Sequence, residues 1–269
     1  MNPAPAGGRP PPGWRADFAA SAPFHHLAPL AARLESDTWP SLARLNLLAE
    51  EQCLRNAAGL PLRFAAQHAR RGQRDYEAGI LADGAVPSRE RNWHDLLNAL
   101  TWLAFPRAKA ALNAAQCGEL DGRQGLPRGP RSDAATLFDE SGLLLLAADA
   151  ELAELLAARQ WRRAFVERRR LWDAARAYVF GHAALEKLLA PWPGITAKCL
   201  FIQVAAVPEP GPPGDGLDHA LAECWRDGRV ARPAELFPLP LLGIPGWWPA
   251  NADPAFYRDA DVFRPARAG

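Results

Sequence analysis

Residues 92–103 read Asn92-Trp93-His94-Asp95-Leu96-Leu97-Asn98-Ala99-Leu100-Thr101-Trp102-Leu103. Wound at about 100° per residue, this stretch puts Trp93, Leu96, Leu97, Leu100 and Leu103 on one face. His94, Asn98 and Thr101 form a narrow polar stripe on another side, with Asp95 at its edge and Trp102 and Phe105 beside it. Asp95 is the only charge before Arg107. A helix apolar on most sides is a buried helix, so the polar stripe must face a pocket or a satisfied internal network. Asn92 is placed to cap the helix, and Asp95 is its first-turn carboxylate. The same helical pattern continues to about Gln116, with an interruption expected at Pro106.

Outward from this helix, the pattern predicts one α+β domain, predominantly helical, over residues 14–269. A Pro/Gly/Ala-rich tail, residues 1–13, precedes it and is expected to be disordered. Helix is predicted from Leu27 to Ala58, divided at Pro40, and again from Asp149 to about Ala175. A basic run, Arg70, Arg71 and Arg74, lies in a mixed segment, and Gly84 to Arg91 reads as a loop. Thr136-Leu137-Phe138 and Leu143 to Leu146 flank Asp139-Glu140-Ser141-Gly142, so residues 135–147 read as a hairpin with Gly142 at positive φ. Lys198 to Val207 is the clearest strand, and Tyr178-Val179-Phe180 a short one leading into a helix from His182. A small antiparallel sheet is therefore expected. Residues 233–269 are Pro- and Trp-rich and read as an irregular arm, held to the domain because Leu241, Leu242, Trp247, Trp248 and Phe256 need burial.

The formal net charge of +1 gives no global field that would draw in nucleic acid or an anionic membrane. Four scattered cysteines without a C-x-x-C pair argue against a disulfide framework and for a reducing cytoplasm. The N-terminus does not resemble a secretory signal, and no run of 18 apolar residues is present. Phosphate-binding glycine loops and the G-x-S-x-G elbow are also missing from the sequence.

Chemistry concentrates where the lysines do. Against 28 arginines the chain has three lysines, Lys109, Lys187 and Lys198. A lysine kept in an arginine-biased sequence suggests that its compact, titratable ammonium matters. His182 and Glu186 lie four apart on one helix face, a spacing that can ligate a divalent ion or form a histidine–carboxylate pair. Asp139 and Glu140 supply two further oxygen donors if their segment lies close. The expectation is a pocket where His94, Asp95, His182 and Glu186 meet around a divalent metal, with Asp139 and Glu140 as additional ligands. Such a metal would activate water for hydrolysis of a small anionic substrate. Lys109 would serve in catalysis, and Asn98, Thr101, Lys187 and Lys198 would hold the substrate. The competing expectation is a non-catalytic binding or scaffold protein. In it the polar stripe is structural, and an arginine face (Arg159, Arg162, Arg163, Arg169, Arg170) docks an acidic partner.

Several of these segments also resemble, in order, a bacterial family known as domain of unknown function 3025. The matching stretches are RDYEAGILADGAVPSRERNWHDLLNALTWLAFPRAKAALN, SDAATLFDESG, FGHAALEKLLAP, PLPLLGIPGW and FYRDADVFRP, spread from Arg74 to Pro265. Ser132 stands before Asp133 where the family pattern has arginine. The resemblance implies no activity; it implies that the terminal Trp/Pro arm belongs to the domain.

Overall fold

Leu143 to Leu146 form the centre of the molecule. The computed structural model describes residues 11–35, 37–67, 72–118, 122 and 129–266. Most of the expected tail, and Arg70 and Arg71 of the basic run, lie outside the described residues. The first helices are α1 (Ala28–Ala31), α2 (Leu42–Glu51), α3 (Gln73–Asp83), α4 (Trp93–Ala104) and α5 (Pro106–Gln116). Then come α6 (Pro130–Ser141), α7 (Glu151–Ala157), α8 (His182–Leu188) and α9 (Asp215–Arg226). The strands are β1 (Arg63–Ala66), β2 (Ala85–Ser88), β3 (Gly142–Ala147), β4 (Ala175–Val179), β5 (Thr196–Gln203) and β6 (Phe237–Pro240). The fold is thus α+β and mostly helical.

The main sheet has the order β4-β3-β5-β6. It is mixed, not antiparallel: β3 runs antiparallel to β4 but parallel to β5, and β5 antiparallel to β6. The parallel pair arises because the chain leaves β3, passes through β4 and α8, and returns to the other side of β3. Side chains alternate across a strand, so β3 feeds two cores. Leu143 and Leu145 join one core with α2, α4, α8 and the C-terminal segment, whereas Leu144 and Leu146 join the other with α5, α6 and α9. Burial on both faces explains the unbroken apolar run of this strand. A second sheet pairs β1 and β2 in parallel across α3, in place of the loop expected at residues 84–91.

The hairpin expected over residues 135–147 is a helix followed by a strand. Pro130 starts α6 at its first turn, and Ala134, Ala135 and Phe138 share a helical face that is fully buried against the second core. That packing outweighs the turn chemistry of Asp139-Glu140-Ser141-Gly142, and Gly142 has φ −69°, not a positive value. The break at Pro106 is as expected: Phe105 leaves the helical region at φ −134° and ψ 59°, the restriction a following proline imposes. Asp218 of α9 then accepts bonds from Arg107 N (2.8 Å) and Ala108 N (2.9 Å), capping α5.

The helix expected from Asp149 to Ala175 stops early. Arg159 takes φ 53°, and a π turn at Arg163–Glu167 and a 3-10 turn at Arg169–Ala174 follow. The expected arginine stripe is broken accordingly. Arg169 turns inward to donate to Asn251 O (3.1 Å) and the Tyr257 hydroxyl (2.9 Å), tying down the C-terminal segment. Arg162 pairs with Glu167 and Arg163 bonds Gln160, while Arg159 reaches Pro265 O. The arm is less irregular than expected, since it contributes β6 and buries Leu241 and Leu242. No described helix is long and apolar enough to cross a membrane.

Candidate metal centre

Three helix ends meet beside the start of β3: the first turn of α4, the last turn of α6 and the first turn of α8. Two glycines hold the last two together. Gly142 O accepts from both Phe180 N and Gly181 N at 2.9 Å, joining the α6–β3 corner to the β4–α8 corner. A Cβ at Gly181 would stand 2.5 Å from Ser141 Cα, and one at Gly142 would stand 2.8 Å from the Phe138 ring. Neither position has room for a side chain. This close approach sets Glu140 beside His182, and α4 packing on α8 brings His94 to the same point.

The imidazoles of His94 and His182 face each other, with Nε2 atoms 3.0 Å apart, centroids 4.4 Å apart and planes at 78°. Glu140 Oε2 lies 3.7 Å from His182 Nε2. Donor atoms of His94, Glu140 and His182 all fall within 4.8 Å of one another, a His/Glu/His group that could hold a metal ion. A carboxylate also stands behind each imidazole, hydrogen-bonded at His94 but beyond hydrogen-bond reach at His182. His94 Nδ1 bonds Glu186 Oε2 at 2.9 Å, and His182 Nδ1 lies 3.9 Å from Asp139 Oδ2. His182 is buried, while the side chains of His94 and Glu140 are 29% and 42% exposed, so the group opens to solvent on one side.

Beneath the group lies a buried polar network. Lys109 Nζ donates to Asp139 Oδ1 and, at 2.8 Å, to Asn98 Oδ1, with the Trp102 ring centroid 5.3 Å away. Asn98 Nδ2 donates to the Tyr76 hydroxyl at 3.2 Å, and the Gln116 side chain lies near Asp139. Burial opposes ionisation of Asp139, but the Lys109 and His182 charges and the Lys109 bond prevail and hold its carboxyl below the usual range. Burial likewise pushes His182 down to about 3, against the pull of Asp139 and helped by the Lys109 and His94 charges. Burial works the same way on His94, yet the Glu186 bond and the charges of Glu140, Glu186 and Asp95 outweigh it and raise its pKa. Burial and the Asp139 charge raise Glu140.

Of the metal ligands expected from sequence, His94, His182 and Glu140 form the group; Glu186 and Asp139 stand behind its imidazoles. Asp95 is engaged elsewhere: its carboxylate takes Arg89 N (2.6 Å) and both Arg89 Nε (2.8 Å) and Nη2 (2.9 Å). Asn92 caps α4 through Asp95 N at 3.1 Å, as expected. Thr101 donates back to Leu97 O and toward Phe180 O. Lys109 and Asn98 are buried in the network, Lys187 is exposed on α8 near enough to lower Glu140, and Lys198 is half-buried opposite Gly142 in the sheet register. The sequence reading missed Arg89, Tyr76 and Gln116. Arg89, six residues before Asp95, had a legible signal as its countercharge; Tyr76 and Gln116 enter only through tertiary packing.

The chain belongs to the family described as "Protein of unknown function (DUF3025)", whose model matches residues 62–267. No curated protein and no solved structure matches it.

Proposed function

We propose that this DUF3025 member is a metal-dependent hydrolase of a small anionic substrate, with His94, His182 and Glu140 as ligands of one divalent ion. The observation that carries the reading is the facing pair of Nε2 atoms, 3.0 Å apart. Two nitrogens each about 2.0–2.1 Å from one ion lie about 2.9 Å apart at a right angle and about 3.3 Å apart at the tetrahedral angle. The carboxylates add to this. Nδ1–H of His94 is directed at Glu186, and Nδ1 of His182 has Asp139 as its nearest anion. Glu186 selects the His94 tautomer whose Nε2 lone pair faces His182, and a cation between the two Nε2 atoms would relieve their close approach.

Two histidines and one carboxylate leave a coordination position free, and catalytic zinc sites have this donor set. A bound divalent ion would supply Lewis acidity and a water made acidic at neutral pH. Glu186 and Asp139 orient the imidazoles, and Lys109 with Asn98 fixes Asp139. Exposed Lys187 lies close enough to act on Glu140 and suits an anionic substrate. The test combines bound-metal analysis with hydrolysis of phosphoester and amide substrates, with and without chelator. Expected are one ion per chain and a hydrolysis that chelation and His182→Ala each abolish in a folded protein. Hydrolysis indifferent to both treatments, or none in the metal-loaded protein, would contradict it.

One observation favours a second reading, a non-catalytic protein. His94 is the more basic imidazole and His182 the less basic, so a protonated His94 donates Nε2–H to His182 and satisfies the pair without metal. In that case His94→Ala lowers the melting temperature while chelator and added zinc leave the wild-type melting curve unchanged.

A further inference from the structure

At the far end of α4 lies a second cavity that the metal centre does not use. Its volume is about 820 Å³, within the range of about 300–1,000 Å³ typical of small-molecule sites. Leu30, Leu54, Leu103, Ala104 and Ala110 supply apolar wall, and Pro212 to Gly214 edge it. Leu103 and Ala104 are nine and ten residues beyond His94 on α4, which places them about 14 Å along the helix from the metal group.

Four arginines, Arg33, Arg55, Arg107 and Arg226, line the same cavity, against Asp215 and Asp218. Asp218 is already bonded to the α5 backbone. Asp215 is 94% exposed; its carboxylate lies 3.8 Å from Arg107 Nη1, which donates to the Asp215 carbonyl at 3.3 Å. The pairs Arg226–Glu223 and Arg33–Glu51 are also surface pairs, so little energy is lost if these guanidiniums turn to a ligand. The cavity wall is therefore cationic over an apolar floor.

His26 makes the cavity more than a charged recess. It is 5% exposed, lines the wall, and bonds the Val179 backbone. Its Nε2 is buried and has no partner among the described residues. Burial keeps the ring neutral, with its pKa pushed down to about 4. Nε2 lies beneath the cavity surface, and the ring gives the wall a polar but uncharged edge.

We infer that this cavity is a second ligand site for a small amphipathic organic anion. Its acidic group meets the arginines and its apolar body lies on Leu103 and Ala104. The site is independent of the proposed metal chemistry.

The probe for the test is 8-anilinonaphthalene-1-sulfonate, which carries a sulfonate, an N–H and an apolar body. Titrated by fluorescence into the full chain, it should bind saturably to one site. The double variant Arg107→Ala/Arg226→Ala should weaken binding about tenfold through loss of charge-assisted contacts. Ala104→Trp, which fills the floor, should abolish it. Cys53 is exposed and lines the same cavity, so bound dye should slow its alkylation by iodoacetamide. His94→Ala should bind the dye as wild type does, whatever becomes of the metal reading. Absence of saturable binding, or binding that the arginine double variant and Ala104→Trp both leave unchanged, would overturn the inference.

Discussion

Lys109 shows most directly how a single residue holds the site together. Its ammonium is almost fully buried, and it neutralises a buried Asp139 that in turn sits behind His182. Removing one partner of such a pair leaves an uncompensated charge and costs about 3–5 kcal/mol. Lys109→Met should therefore lower unfolding stability by that order in urea denaturation, and Asp139→Asn in the same chain should restore much of it. If Lys109→Met alone proved neutral, the buried network would not have the part assigned to it. The sequence pointed to this residue because an arginine-biased chain kept a lysine there. It could not show that the ammonium faces inward, because α5 follows a break whose angle depends on α9. His94 and His182 were legible as histidines on predominantly apolar helices, but their pairing across 88 positions is a tertiary fact.

At the scale of elements, the α6–β3 corner is where local and global signals conflict. Asp-Glu-Ser-Gly reads as a turn, and only the buried face of Ala134, Ala135 and Phe138 makes it the end of a helix. That outcome moves Glu140 from a hairpin tip to the last turn of a helix, beside His182. The helix from Trp93, its cap and its break at Pro106 were readable because composition, period and capping agree there. The parallel pairing of β3 with β5 was not readable, since neither strand carries a mark of direction. Gly181 bears on both fold and site. Gly181→Ala should force the two corners apart, lowering stability by about 1–3 kcal/mol and weakening metal binding more than distant substitutions of equal cost. Far-ultraviolet melting and metal titration of the same variant would check both; an unperturbed Gly181→Ala protein would mean the corners are not in contact as described.

Across the whole molecule, buried neutral histidines predict acid sensitivity. His26 is pushed down to about 4 and His182 to about 3, both from 6.5. Between about pH 6.5 and the folded values, the unfolded chain takes up protons that the native chain refuses. Stability therefore rises with pH in this window and is lost as pH falls. His94 has the opposite sign: its raised pKa adds stability below 6.5 that disappears as pH climbs through the folded value. His26 alone contributes about 3 kcal/mol between neutral pH and pH 4 at about 1.4 kcal/mol per unit. Replacing it with leucine should flatten the pH dependence of the urea midpoint over pH 4–6.5 by close to one proton. An unchanged slope would place His26 in water.

His94, His182 and Glu140 are proposed to bind one divalent ion. Calorimetric titration of zinc into chelator-treated protein tests it most directly, in wild type and in His94→Ala, His182→Ala and Glu140→Gln. One ion per chain is expected in the wild type, with binding lost in both histidine variants and weakened in Glu140→Gln. Wild-type protein that binds no zinc, or variants that bind it undiminished, would contradict the account.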